Sequence, residues 1–296
     1  MRVASKTRGY TVVEVMIFLA VSGLMFVIAA SFISGKQAAG EFRQGTNSVN
    51  SQVRGVINDV ANGFYPSNHD FTCVAMASDP YYNISSGAAN KDLGSNQGCV
   101  LMGKVIQFGP AGESSKYNIF TVLGRQYKDA INNSSIPTNF DEAKPHAFYP
   151  GSAIIGVDLT ERKTLEWGLK VTKVYNATTS QDLSGIGFVS SFGEYNPDPL
   201  LGHALTSGSQ TINVLGIPGT AIGDGGNPEG LMADGVAGKI NSLDANGVIY
   251  TLNNPNIVIC LKGSNNKYAT LTIGGGNGQR LTTTLKVTAT NGSCPA

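Results

Sequence analysis

Arg8-Gly9-Tyr10-Thr11-Val12-Val13-Glu14-Val15 runs without a break into Met16-Ile17-Phe18-Leu19-Ala20-Val21-Ser22-Gly23-Leu24-Met25-Phe26-Val27-Ile28-Ala29-Ala30. A short leader carrying Arg2, Lys6 and Arg8, and no acid, feeds an apolar segment in which Glu14 is the only charge over residues 11–33. About 20 apolar residues in a helix cross a bilayer core, so this segment is long enough to span one. The first charge beyond it is Lys36, soon balanced by Glu41. Basic residues stay on the cytoplasmic side, which predicts an inward N-terminus and an outward remainder. Everything downstream reads as the cargo of this anchor.

Glu14 is the anomaly. An acidic side chain at mid-membrane costs roughly 2.5–3.5 kcal/mol on insertion scales. Glu14 lies only a turn inside the cytoplasmic edge, so its cost is smaller. A carboxylate in apolar surroundings wants a cation or several donors, and the span itself offers no partner. Two readings follow. Either Glu14 reaches to the headgroup layer and does nothing else, or its partner lies on another molecule, such as an amino terminus created by cleavage nearby.

Gly9-Tyr10-Thr11-Val12-Val13-Glu14 resembles the processing motif of type IV prepilins and type II secretion pseudopilins: a basic leader, a Gly, an aromatic, and a Glu four residues beyond it, all heading a long apolar helix. Tyr10 stands where that family often has Phe. The resemblance implies cleavage after Gly9 by a membrane prepilin peptidase and N-methylation of Tyr10. It also implies pairing of Glu14 with the amino terminus of a neighbouring subunit in a helical filament. The implied partners are that peptidase, other pilin or pseudopilin subunits and an inner-membrane assembly platform. The implied location is the bacterial inner membrane, then a filament or cell surface. The family's usual Pro within the span is absent, and Ser22-Gly23 is a candidate weak point in its place. A rival reading takes Ile28-Ala29-Ala30 as a secretory cleavage site and starts the mature chain at Ser31. Against it, the apolar run is longer than a secretory core and Glu14 would be a needless defect.

The bulk numbers fit an exported, β-rich protein. The chain has 296 residues, 14% charged and 37 of them Gly, against a usual charged share of about 25%. Its formal net charge is +1, and loss of Arg2, Lys6 and Arg8 with the leader would make it −2. No strongly basic surface is implied, so nucleic acid is not an expected partner. Cys73, Cys99, Cys260 and Cys294 allow three disulfide pairings. Sequence proximity favours Cys73–Cys99 and Cys260–Cys294, each closing a loop that would stabilise the fold by roughly 3–4 kcal/mol in the chain-entropy model. No Cys-x-x-Cys exists and His69, His146 and His203 stand apart, which argues against zinc.

Beyond the span, Phe42, Val49, Val53, Val56, Ile57 and Val60 recur at helical spacing, with Lys36, Glu41, Arg43, Gln44, Asn50, Gln52, Arg54 and Asn58 on the other face. Asn62-Gly63 and Pro66 then supply a stop. The predicted helix covers residues 10–62. Residues 10–35 form its membrane or filament-core half and 36–62 its amphipathic half, with 1–9 as leader and 63–296 as an extracytoplasmic β-rich domain. Residues 64–98 read as loop. Strands are predicted at 100–108, 117–124, 153–159, 164–175, 186–192, 211–215, 256–262, 267–273 and 280–288. In 164–175, Leu165, Trp167, Leu169, Val171 and Lys173 would share one face. Gly263-Ser264-Asn265-Asn266 is a hairpin turn signal. Residues 126–150 read as a long insertion and 194–238 as loop-rich, and the partner-facing surface is expected at 194–238. The expected whole is an α+β fold, a long N-terminal helix packed on an antiparallel sheet with long loops, which the resemblance implies to be type IV pilin-like. The C-terminal hairpins loosely resemble those of GspH/FimT-like pseudopilins.

Chemistry is sparse. Gly274-Gly275-Gly276-Asn277-Gly278 precedes a strand-like stretch and lacks the helix and Lys-Ser/Thr of a phosphate loop. Asp224, Asn227, Glu229 and Asp234 are weak calcium candidates whose spacing departs from the EF-hand loop. The Asn-x-Ser/Thr sites at Asn83, Asn132, Asn133, Asn176 and Asn291 are expected by chance in a chain this rich in those residues. No nucleophile motif or catalytic constellation is visible, so neither an enzyme nor a cofactor is expected. The expected function is that of a structural subunit of a pilus or secretion-type filament, a minor one by its size. The alternative is a secreted or tip-located adhesin whose loops bind a surface ligand.

Overall fold

One helix carries the architecture. In a computed structural model, the residues described are 9–63, 71–74, 83–86, 99–125, 146–147, 160–190, 212–219, 250–252, 256–274 and 281–288. Helix α1 (Val12–Ala61) has 50 residues, about 75 Å at 1.5 Å per residue. It begins after Thr11 and ends at Asn62, whose N–H donates to the carbonyl of Asn58, with Gly63 following at φ 64°. This is the predicted stop, and the helix is two residues shorter than expected at its start. From residue 12 to 33 it is exposed throughout and strongly apolar. The helix is long and apolar enough to cross a membrane.

The second half of α1 is held by a sheet. Phe42, Val49, Val53, Val56, Ile57 and Val60 are each at most 7% exposed and belong to the main core. Each such side chain contributes about 1.5–3 kcal/mol of burial. The stripe is continuous because Gly45 and Thr46 fill the turn between Phe42 and Val49, both buried. A Cβ at Gly45 would overlap Leu169, and one at Gly263 would overlap the Phe42 ring. The two glycines let the helix lie close to the loops on either side of it.

The sheet consists of β3 (Cys99–Phe108), β4 (Lys116–Arg125), β5 (His146–Ala147), β6 (Glu161–Thr164), β7 (Lys170–Asn176), β8 (Gln181–Ser190), β9 (Ile212–Pro218), β10 (Tyr250–Leu252), β11 (Asn256–Lys262), β12 (Tyr268–Gly274) and β13 (Thr282–Thr288). Its main order is β13-β12-β11-β7-β8-β3-β4-β5, with β6 also on β4, and β9 joining β8 to β10. All described pairings are antiparallel. Period-two alternation sets the inner face. Ile257, Ile259 and Leu261 on β11, and Ala269, Leu271 and Ile273 on β12, join the helix in one core. The coarse expectation of a long apolar helix with an antiparallel sheet therefore holds.

Three local expectations are corrected. The stretch 64–98 is not all loop, since β1 (Phe71–Val74) and β2 (Asn83–Ser86) pair within it. The strand expected at 164–175 is broken: β6 ends at Thr164, a turn follows with Trp167 at φ 60° and Gly168 at φ 68°, and β7 starts at Lys170. Leu165 and Leu169 are buried as expected, but Trp167 is 46% exposed. Lys173 leaves the inner face, because a register shift between Cys260 and Leu261 on β11 places an extra β7 residue, Thr172, there, and Val174 takes the inner position. The remaining strands lie close to their predicted places, and β8 starts five residues early. The expected strand at 153–159 lies outside the described residues, as do most of the insertions at 126–150 and 194–238.

Polar ties fix the helix on the sheet. The Tyr117 hydroxyl donates to Gln52 Oε1. Arg54 donates to Thr283 Oγ1 at 2.5 Å and to its carbonyl at 3.0 Å, and Thr283 Oγ1 donates to Asn50 at 2.7 Å. Burial pushes the Tyr117 phenol well above its usual range, and the carboxylates of Glu161 and then Glu166 add to this. A raised folded-state value means the native protein holds this proton more tightly than the unfolded chain. Its contribution is therefore complete below about pH 10, the unfolded value, and is lost as pH rises above it. Tyr117→Phe should start about 1 kcal/mol less stable at neutral pH through its lost hydrogen bond. Its stability should then fall less steeply than the wild type's above about pH 10. Urea midpoints measured from pH 7 upward check this, and parallel curves would contradict it.

Candidate functional site

Gly9 and Tyr10 lead directly into α1. Both are exposed, Tyr10 by 83%, and no atom lies within 4 Å of where a Cβ on Gly9 would sit. Among the described residues, none packs over Gly9. Residues 1–8, the basic leader, lie outside the described residues.

Glu14 is not without a partner in its own chain. Thr11 is the N-cap of α1, and its hydroxyl accepts the Glu14 N–H at 3.3 Å while Glu14 Oε2 accepts the Thr11 N–H at 3.5 Å. This reciprocal capping box satisfies two of the donors that a helix start leaves free. It also sets the carboxylate at the positive end of the helix dipole. The expectation that the span offers Glu14 nothing is corrected on this point. The signal was present in the sequence as Thr-x-x-Glu. One 3.5 Å bond uses little of a carboxylate's acceptor capacity, and Glu14 remains exposed.

Around it the surface is apolar. Val12, Val13, Val15, Met16, Ile17, Phe18 and Leu19 are all between 45% and 74% exposed, and every side chain from residue 12 to 33 is exposed. Soluble proteins rarely expose so large an apolar patch, which marks a membrane or a protein interface. The Ser22 hydroxyl bonds back to the Phe18 carbonyl within the helix, so Ser22-Gly23 leaves no break in α1.

The other candidates are distributed otherwise. Cys260 is disulfide-bonded and wholly buried on the sheet face away from the helix, beside Tyr175 and Val258. The side chains of Cys73 and Cys99, and all of Cys294, fall outside the described residues, as do Asp224, Asn227, Glu229 and Asp234. Among the described residues, no three His, Cys, Asp or Glu side chains gather closely enough to hold a metal ion.

One further charged cluster lies at the distal end of the helix. Lys104 on β3 is 1% exposed. Its Nζ lies 2.7 Å from Asp59 Oδ2 on α1 and 3.5 Å from Glu161 Oε1 on β6, and Glu161 also meets Lys163 at 3.1 Å. Two half-exposed carboxylates thus close over a buried ammonium. This arrangement joins the helix to the sheet. No family profile, no curated protein and no solved structure gives a significant match to the chain.

Proposed function

We propose that the chain is a structural subunit of a type IV pilus or type II secretion-like filament, stored in a membrane through the first half of α1 and assembled through the same surface. The observation that carries this reading is one carboxylate, Glu14, at the head of a wholly exposed apolar helix half whose other half is clamped on a sheet. Such a helix must be covered, by lipid in one state and by other helices in another. A β domain held rigidly on its distal half would then face outward from the filament. Cleavage at the pilin-like processing motif Gly9-Tyr10 would supply a new amino terminus four residues before Glu14. Cleavage there leaves 287 residues, a large subunit, in keeping with a minor rather than a repeating role.

Mass analysis of the protein purified from membranes tests the reading. The expected N-terminus is a methylated Tyr10, and Gly9→Val should leave the leader uncut. A mature chain beginning at Met1 or at Ser31 would end the proposal.

A further inference from the structure

Two loops meet the helix at one level, just beyond the apolar half. The β11–β12 turn touches α1 where Gly263 abuts Phe42, and the turn before β7 touches it where Leu169 and the Glu166 carbonyl abut Gly45. The opposite ends of the same strands lie further along α1, since Thr283, paired with Ile273, bonds Asn50 and Arg54. Lys262, Lys267, Tyr268, Lys170 and Trp167 therefore sit at the end of the β domain nearest the apolar segment.

We propose that this rim docks on anionic phospholipid headgroups while α1 is in the bilayer. The inference rests on the reading of residues 12–33 as a membrane span. Phe42 lies nine residues beyond Ile33, roughly 13 Å along the helix, and the headgroup layer itself is about 5–7 Å deep. The remaining gap is within reach of a lysine or tryptophan side chain. Lys262 and Lys170 are directly opposite one another on adjacent strands, an arrangement of like charges that is unfavourable unless an anion lies between them. Among the described residues, ion pairs engage Lys104, Lys116, Lys163 and Lys173, and none joins Lys170, Lys262 or Lys267 to a carboxylate. Lys36 and Arg43 on α1 are exposed near this level, and the acids there are Glu41, Glu166 and Glu113, the last in the β3–β4 turn that Leu165 and Val171 bond through Ser115 and Ser114 and already paired with Lys116. Trp167 is held outward by a left-handed backbone, and Tyr268 lies under the Lys262 ammonium, 5.6 Å from ring centre. Tryptophan and tyrosine with flanking lysines are the composition of a membrane interface, and lysines within a Debye length of an anionic surface are drawn to it.

The chain contains one tryptophan, so its fluorescence reports on this rim alone. The full-length protein is reconstituted in phosphatidylcholine vesicles with and without phosphatidylglycerol, and in neutral detergent. The expected result is a blue-shifted emission and a several-fold loss of acrylamide quenching in the anionic vesicles only. High salt should reverse both, as should Lys170→Gln, Lys262→Gln and Lys267→Gln together. Vesicle flotation separates the two ideas: protein that fails to float with vesicles refutes the span. Protein that floats, but whose tryptophan is equally quenched in neutral and anionic vesicles or is unaffected by the lysine changes, refutes the rim.

Discussion

Asp59→Ala should destabilise the β domain by about 3 kcal/mol, the lower end of the cost of breaking a buried ion pair. The reason is the asymmetry of the pair. Lys104 is the buried member, and its stem lies on the helix side of the sheet with Ile106 and Phe108. Remove Asp59 and, among the described residues, the ammonium keeps Glu161 alone, at 3.5 Å, while desolvated. Lys104→Met removes the charge itself and fills most of the stem's volume. The carboxylates of Asp59 and Glu161, 34% and 38% exposed, can then rehydrate. That variant should lose less than about 1 kcal/mol, because an apolar group of similar volume often replaces a buried ion at little cost. Lys104→Ala should fall between the two, since it adds a cavity. Urea unfolding of the detergent-solubilised protein, followed by near-ultraviolet circular dichroism, gives the ranking. If Asp59→Ala proves no worse than an exposed helix substitution, within about 0.5 kcal/mol, the pair is not a determinant of helix docking.

Lys104 also shows what the sequence could and could not convey. Along β3, Lys104 alternates in phase with Ile106 and Phe108, a period-two signal that the expectation of a strand at 100–108 left unused. What remained hidden was its partner, Asp59, 45 residues earlier on another element. The apolar stripe of the helix was readable, because Phe42, Val49, Val53, Val56, Ile57 and Val60 obey one period over one uninterrupted element, but the ties of Asn50, Gln52 and Arg54 to the sheet, from positions expected on the other face, were not. Local hairpins such as β11–β12 were readable for the same reason. The pairing of β11 with β7 was not, as nothing local encodes contacts between distant segments. Residues 164–175 misled because Leu165, Trp167, Leu169 and Val171 mimic strand alternation, while a non-glycine residue, Trp167, supplies the left-handed turn at φ 60°. At the candidate site the charge of Glu14 drew the eye from its backbone role. Thr11 and Glu14 form a familiar helix-start pair, yet a carboxylate in an apolar run reads first as a membrane cost.

That double role makes Glu14 the residue where substitution should have its greatest effect on assembly, and it sets the design of the test. Glu14→Ala should still be cut after Gly9 but enter filaments poorly. Pairing of its carboxylate with a neighbour's amino terminus, a hydrogen bond to a charged group, is worth about 1.5–3 kcal/mol. In cells expressing wild-type and variant subunits together, that is roughly a 10- to 100-fold deficit of the variant in sheared filaments. Glu14→Ala alone is ambiguous, because it also removes half of the capping box. Glu14→Gln keeps an acceptor for the Thr11 N–H, since glutamine serves in a capping box as glutamate does, but it carries no charge. Thr11→Ala keeps the charge and loses the cap, at a cost of about 1 kcal/mol. If charge pairing governs assembly, the glutamine variant should be excluded almost as strongly as the alanine one, and Thr11→Ala should assemble nearly normally. If the helix cap governs it, those two results exchange places. Quantitative mass spectrometry of the filament fraction distinguishes them. Normal incorporation of both Glu14 variants would remove the carboxylate from the assembly mechanism altogether, leaving the exposed apolar surface of α1 to act by packing alone.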